Sequence, residues 1–270
     1  MRTISQLIGE IEELNIKPTD TVMIHTSLRA IGEIENGAEG LIKAFMDYLK
    51  DGLLLIPTHT WAFINGDGPT LDLIQPTTCI GTLPNIAASH PLGRRSYHPT
   101  HSIAAFGRRA EEYIKGEENS DTPGSPEGCW GRLYKEGAKI LLIGVGQERN
   151  TFLHSVEEMN HTPLRLSQEK KHLLIRNEDG TITERFSYVH YNPYCSHISE
   201  NYVKFEPYFH QGEALTYGML GNAKVQVCDA RKCAEIMMAI SNHCDFDLCI
   251  DETPIPFPVE ELDKVLSMSK

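Results

Sequence analysis

Thr21–Val22–Met23–Ile24–His25 and Gly52–Leu53–Leu54–Leu55–Ile56 decide the fold. Each is a short, nearly unbroken apolar run, the pattern of a strand covered on both faces rather than of one with a wet side. Between them Leu41, Ile42, Phe45, Met46 and Leu49 recur at helical spacing. Strand, helix and strand in that order make a βαβ unit with parallel strands. Lys139–Val145 repeats the buried-strand pattern, and Asn150–Met159 reads as the helix that follows it.

Working outward, residues 3–15 read as an amphipathic helix, with Ile4, Leu7, Ile8, Ile11 and Leu14 on one side. Leu83–Ser89, Arg108–Ile114 and Gly131–Glu136 read as short helices, Ala104–Phe106 as a strand, and residues 62–81 as loop. Lys171–Arg176 and Thr181–Tyr188, joined by Asn177–Glu178–Asp179–Gly180, form a β-hairpin. Tyr217–Cys228 reads as one further strand with Gly218 and Gly221 inside it. A helix over Asp229–His243 is capped by Asp229, and a short helix closes the chain around Pro258–Met268. The expected fold class is α/β. It is a single compact domain over residues 1–270, with a central, mostly parallel sheet flanked by helices and an additional antiparallel hairpin region.

Composition narrows the function. The chain has 270 residues, 40% hydrophobic and 23% charged, which are globular values. Its 25 Lys and Arg against 37 Asp and Glu leave a net charge of −12. Such a surface repels nucleic acid and anionic membranes, so neither is an expected partner. The N-terminus carries no apolar signal run, so a cytoplasmic location with reduced thiols is expected for the seven irregularly spaced cysteines. The spacings Cys228/Cys233 and Cys244/Cys249 fit buried thiols better than zinc pairs.

In an open α/β sheet, ligands bind beyond the carboxyl ends of the strands. His25, Ser27, Leu28 and Arg29 follow the first strand; Thr58 and His59 follow the second. Gly144–Val145–Gly146 after the third lacks the further glycine of a dinucleotide fingerprint and is not a Walker loop. Arg94–Arg95–Ser96–Tyr97–His98–Pro99–Thr100–His101–Ser102 is a basic, hydroxyl-rich loop suited to a phosphate group. His98 and His101 are also metal-capable, but no carboxylate follows at ligand spacing, so no metal is expected. His154 and Glu157 share a helical face, and a carboxylate beside a histidine suits a general base near neutral pH. His190 lies in a ring-rich segment after the hairpin. It could help wall an acceptor pocket.

Taken in order, these segments resemble the aminoglycoside N3-acetyltransferase family. The resemblance rests on Val22–Gly32, Pro57–Trp61, Arg95–Ser102, Gly124–Ser125–Pro126, Leu141–Val145 and Asn150–His154. It implies an acetyl-CoA-dependent enzyme acetylating an amine of a 2-deoxystreptamine antibiotic, with no metal. The resemblance places Ser27, Leu28, Arg29 and Thr58, with His25, beside the CoA arm. Ser96, His98 and Ser102 would contact its phosphates or orient that loop. His154, backed by Glu157, would be near the reacting groups. Where family members carry an acid after the hairpin, this chain has His190, which binds a polycation less well and is itself a candidate base. Glu157, Glu158 and Glu206 remain as acid sites for a polyamine. The expected partner is a small-molecule amine, foremost an aminoglycoside, and a homodimer is compatible with the sequence. The alternatives are another cellular amine as acceptor, a CoA-binding protein without catalysis, and a metal-dependent hydrolase using His98, His101 and His154.

Overall fold

The computed structural model describes residues 1–268; the last two residues of the expected domain span lie outside the described residues. The strands are β1 (Thr21–Thr26), β2 (Leu53–Pro57), β3 (Leu71–Asp72), β4 (Arg94–Arg95), β5 (Ile103–Phe106), β6 (Lys139–Ile143), β7 (Lys171–Arg176), β8 (Ile182–Ser187), β9 (Leu215–Leu220) and β10 (Ala223–Asp229). The helices are α1 (Ile4–Glu13), α2 (Leu28–Ile31), α3 (Gly37–Tyr48), α4 (Thr82–Ser89), α5 (Ala110–Ile114), α6 (Cys129–Glu136), α7 (Phe152–Met159), α8 (Glu206–Gln211), α9 (Ala230–His243) and α10 (Leu262–Met268). Seven strands form the main sheet in the order β4-β5-β2-β1-β6-β10-β9, and β3-β7-β8 form a second sheet.

β1 runs parallel to both β2 and β6, as the buried runs predict. Their side chains alternate between two cores. Met23, Leu53, Leu55, Ile140 and Leu142 point to one face of the sheet. Val22, Ile24, Leu54, Ile56, Leu141 and Ile143 point to the other. The period of two in a strand therefore splits an unbroken apolar run between two helix layers. Packing against α1 and α3 covers one face, with Leu7, Ile11, Leu41 and Phe45 fully buried. The other face meets α6, α7, α8 and α9 through Trp130, Phe152, Phe209 and Ile236.

The α/β class and the hairpin region are as expected, but the sheet is mixed rather than mostly parallel. β5 runs antiparallel to β2 and β4, and β10 antiparallel to β6 and β9. The stretch read as one strand over Tyr217–Cys228 is two, turned at Gly221–Asn222. Two residues can join only antiparallel neighbours. Gly221 adopts φ +59, and a Cβ there would stand 2.5 Å from the Ile31 carbonyl oxygen. The Gly-Asn dipeptide is itself a hairpin signal. Within the region read as loop, Leu71–Asp72 pairs with β7 and gives the hairpin a third strand. No helix among the described residues is long and apolar enough to cross a membrane.

Candidate active site

The carboxyl ends of β1, β2 and β6 share one edge of the sheet, joined there by the amino end of antiparallel β5. After β1, Ser27 caps the short α2 by accepting a hydrogen bond from the Ala30 amide at 3.4 Å. Its own amide donates to the Ile143 carbonyl at 2.9 Å, which ties the turn to the end of β6. Gly144 follows with φ +67, and a Cβ there would stand 2.3 Å from the Ala30 Cβ. Only glycine lets these two strand-end turns approach so closely. Leu28 is half-buried and Arg29 exposed.

The loop from Arg95 to Ser102 is knitted to β2 from within. The Ser102 hydroxyl donates to the Thr58 carbonyl at 2.9 Å and lies 2.9 Å from the Thr58 hydroxyl. Arg95 donates through Nη2 to the Thr58 carbonyl at 2.9 Å and through Nε to the Ser102 hydroxyl at 3.2 Å. Ser96 accepts from the Ile103 amide at 3.0 Å. His98 Nδ1 accepts from the Thr100 and His101 amides at 3.2 and 2.9 Å, so its proton sits on Nε2, 3.1 Å from the Thr122 carbonyl. Ser96, His98 and Ser102 are fully buried, and their hydrogen bonds hold the loop's shape. Burial pushes the His98 imidazolium down to about 3, so the ring is neutral at pH 7.

On the far side of β6, α7 turns His154 and Glu157 toward the same edge. Tyr202 stands between them, its hydroxyl 2.7 Å from His154 Nδ1 and 2.5 Å from Glu157 Oε2. The direct separation of Nδ1 from Oε2 is 3.4 Å. Arg165 Nε donates to Glu157 Oε1 at 2.7 Å, and its other nitrogens grip Asp247 at 2.6 and 2.7 Å. Burial alone would raise the Glu157 carboxyl, but the His154 hydrogen bond and the Arg165 charge outweigh it and hold Glu157 below the usual carboxylate range. Behind this network lies a cavity of about 270 Å³, lined by Glu157, Arg165, Asp247, Asn160 and Cys244 among others.

Rings join the two halves of the site. His154 packs 4.3 Å from His190, centre to centre, and His190 packs 4.8 Å from His101. His101 lies 4.5 Å from His59, which faces Trp130 at 5.5 Å, with His25 at 6.3 Å from the indole as well. Trp130 fixes this series by donating to the His101 carbonyl at 2.9 Å. His190 is anchored by a bridge to Leu166, and its Nε2 lies 3.7 Å from Glu158. That carboxylate already accepts from the Gly124 amide at 2.7 Å. Burial lowers His190, as the His154 charge also does, and pushes His59 and His101 well below the ordinary histidine value. His25 falls to about 3 for the same reason.

His25, Thr58, Ser96, His98, Ser102, His154, Glu157 and His190 therefore gather at one edge. Ser27, Leu28 and Arg29 adjoin it at the β1–β6 turn. Glu206 is engaged by Tyr217 and Gln226 at 2.8 and 2.9 Å. Tyr202, Arg165 and Asp247 escaped the sequence reading, because nothing local to them marks a partnership with α7. Among the described residues no group of three His, Cys, Asp or Glu side chains has the geometry to hold a metal ion.

Fold and site together define an α/β protein with a carboxylate-backed histidine at the carboxyl edge of its sheet. The chain belongs to the aminoglycoside 3-N-acetyltransferase family, whose model matches residues 23–241. It is 32% identical over 161 residues to aminoglycoside N(3)-acetyltransferase IV of Salmonella sp, a match covering 59% of this chain and 60% of that protein. It is 28% identical over 183 residues to aminoglycoside N(3)-acetyltransferase VII of Streptomyces paromomycinus, covering 60% and 62%. The chain thus spans only about three fifths of the length of these relatives. The fold is shared with the crystal structure of aminoglycoside acetyltransferase AAC(3)-IVa in complex with a gentamicin. That likeness has a TM-score of 0.74 at 24% identity over 90% of both chains. AAC-IIIb in a binary complex with CoASH also shares it, with a TM-score of 0.74 at 18% identity over 86% of this chain and 93% of that one.

Proposed function

We propose that the chain is an N-acetyltransferase that moves the acetyl group of acetyl-CoA to an amino group, the 3-amino group of the 2-deoxystreptamine ring of an aminoglycoside. The carrying observation is His154, partly open to solvent, tied to buried Glu157 and in ring contact with the strand-end loops. Family membership supports the reaction class. A relative solved with CoASH and another with a gentamicin support the two substrates.

Acetyl-CoA supplies an activated acyl carbon. The chain's own residues prepare the nucleophile. His154 takes the proton that the amine must lose to attack, and Glu157 stabilises the resulting imidazolium. Free backbone donors at the strand ends stabilise charge that develops on the acyl oxygen. Holding both substrates in one slot makes a covalent enzyme intermediate unnecessary. Ser27, Leu28 and Arg29 hold the CoA arm at the end of β1, with Arg29 the exposed cation for its phosphates. Thr58, Ser96, His98 and Ser102 shape the neighbouring loop instead of reaching the ligand, since their hydrogen bonds are spent internally. The base is His154 rather than His190, because the only carboxylate beside His190 lies 3.7 Å away and serves Gly124. A reaction that draws on acetyl-CoA belongs in the cytoplasm.

One observation favours a second acceptor class. Glu157, Glu158 and Glu206 are each held by internal partners, so none is free to receive a drug ammonium. An amine or amino sugar with fewer positive charges suits such a site. The test is incubation with acetyl-CoA and a panel of aminoglycosides and simpler amines, followed by mass spectrometry. Acetylated aminoglycoside is the expected product. Acetylation of simple amines alone would move the acceptor class, and no acetylated product at all would overturn the reading.

A further inference from the structure

We propose that Tyr202 is a positioning residue that links Glu157 to His154 and holds the imidazole with its proton on Nδ1, leaving Nε2 to receive the substrate proton. The inference deepens the reading of His154 as the base and rests on it. The Tyr202 oxygen lies 2.7 Å from Nδ1 and 2.5 Å from Glu157 Oε2, whereas the direct path from Nδ1 to Oε2 is 3.4 Å. Ordinary N–H···O bonds lie near 2.9 Å, so the strong contact passes through the phenol.

A phenol has one proton to share between these partners. Glu157 already accepts from Arg165, whose remaining nitrogens are bound to Asp247. A carboxylate gripped by that guanidinium is ionised and has no proton to give. The Tyr202 proton must therefore point at Glu157, and its oxygen lone pair must face an N–H on His154. The Tyr202 ring is fully buried beside Phe205 and Ile198, so it has no room to swing away.

The step balances without net movement along the link. The acceptor's proton goes to Nε2; the Nδ1 proton stays on Nδ1, and the phenol keeps its own. The Glu157 charge reaches the new imidazolium through the polarised hydroxyl. The bound proton then leaves from Nε2 to the departing thiolate. Burial and the Glu157 charge push the Tyr202 hydroxyl well above its ordinary range, so it does not ionise during turnover.

Nitrogen-15 NMR of histidine-labelled full-length protein tests the assignment without any substrate. His154, identified by the signal lost in His154→Gln, is expected as the Nδ1–H form. Tyr202→Phe, which keeps the ring and removes only the hydroxyl, is expected to mix in or favour the Nε2–H form. The same variant is expected to lower kcat ~10-fold or more with little change in KM. It should also move the acid limb of the pH profile to lower pH, because the imidazolium loses its anionic support. A wild-type Nε2–H form would overturn the proposal, as would a Tyr202→Phe protein with unchanged tautomer and unchanged acid limb. If the wild type acetylates nothing, the reaction reading fails while the NMR result still decides the role of Tyr202. If Tyr202→Phe does not fold, the wild-type tautomer decides it.

Discussion

The site divides into two histidine regions that treat the same side chain in opposite ways. Around α7, His154 sits in a charged network of Glu157, Arg165 and Asp247, where the carboxylates outnumber the guanidinium. Around the ends of β1, β2 and β5, His25, His59, His98 and His101 lie buried without a carboxylate partner and are neutral at pH 7. A buried ring gains a proton readily only where fixed negative charge offsets its desolvation. One region is therefore equipped to accept a proton, and the other uses imidazoles as neutral struts and walls.

The largest expected effect comes from breaking the charged half. Arg165→Leu leaves Glu157 and Asp247 buried or half-buried without their cation, and a loss of ~3–5 kcal/mol of folding stability is expected in urea unfolding. A loss below ~1 kcal/mol would mean that the two carboxylates are not held as an ion network. His154→Ala should fold normally but turn over at least ~100-fold slower, which is ~2.7 kcal/mol of barrier. An unchanged rate would shift the base to His190 or to water and erase the contrast between the regions.

The smaller effects lie in the neutral half. His98 accepts two amide hydrogen bonds, so His98→Phe is expected to cost ~1–3 kcal/mol. Both His59 nitrogens are buried without a partner, so His59→Phe should be close to neutral in stability. Acid sharpens the distinction. A ring held at about 3 when folded and near 6.5 when unfolded leaves the unfolded chain binding more protons between those values. Stability is then complete above pH 6.5 and falls as the pH drops toward 3. Glu157 adds to the loss at the lower end, since its depressed carboxyl stabilises the fold only while ionised. Urea midpoints at about pH 7 and about pH 5 should show a drop that is smaller in His59→Phe. Equal drops in both proteins would show that His59 already carries a proton in the fold.

Pairings close in the chain were legible and distant ones were not. The i,i+3 relation of His154 and Glu157 follows from helical spacing alone. Gathering of the loops at one edge follows from parallel strands. The Gly221–Asn222 turn was readable in principle, but two glycines inside an alternating run were taken as interruptions of a single strand. Ser96, His98 and Ser102 show how a motif can be found and its use still be open. Their types suit a phosphate, yet in the fold their polar atoms face their own backbone. Tyr202 lies 48 residues from His154, and Asp247 lies 82 from Arg165. Neither carries any local pattern that points back to α7.

The order of apolar runs by itself determined a three-strand parallel centre with helices on both faces, because a strand without a polar side has to be covered twice. It also placed the reactive residues at the strand ends, where backbone donors are free. Only the tertiary structure decided which histidine carries negative charge beside it and which are merely buried. That choice depends on distances between segments far apart in the chain, and a pKa responds to charge and burial in space rather than to neighbours in sequence.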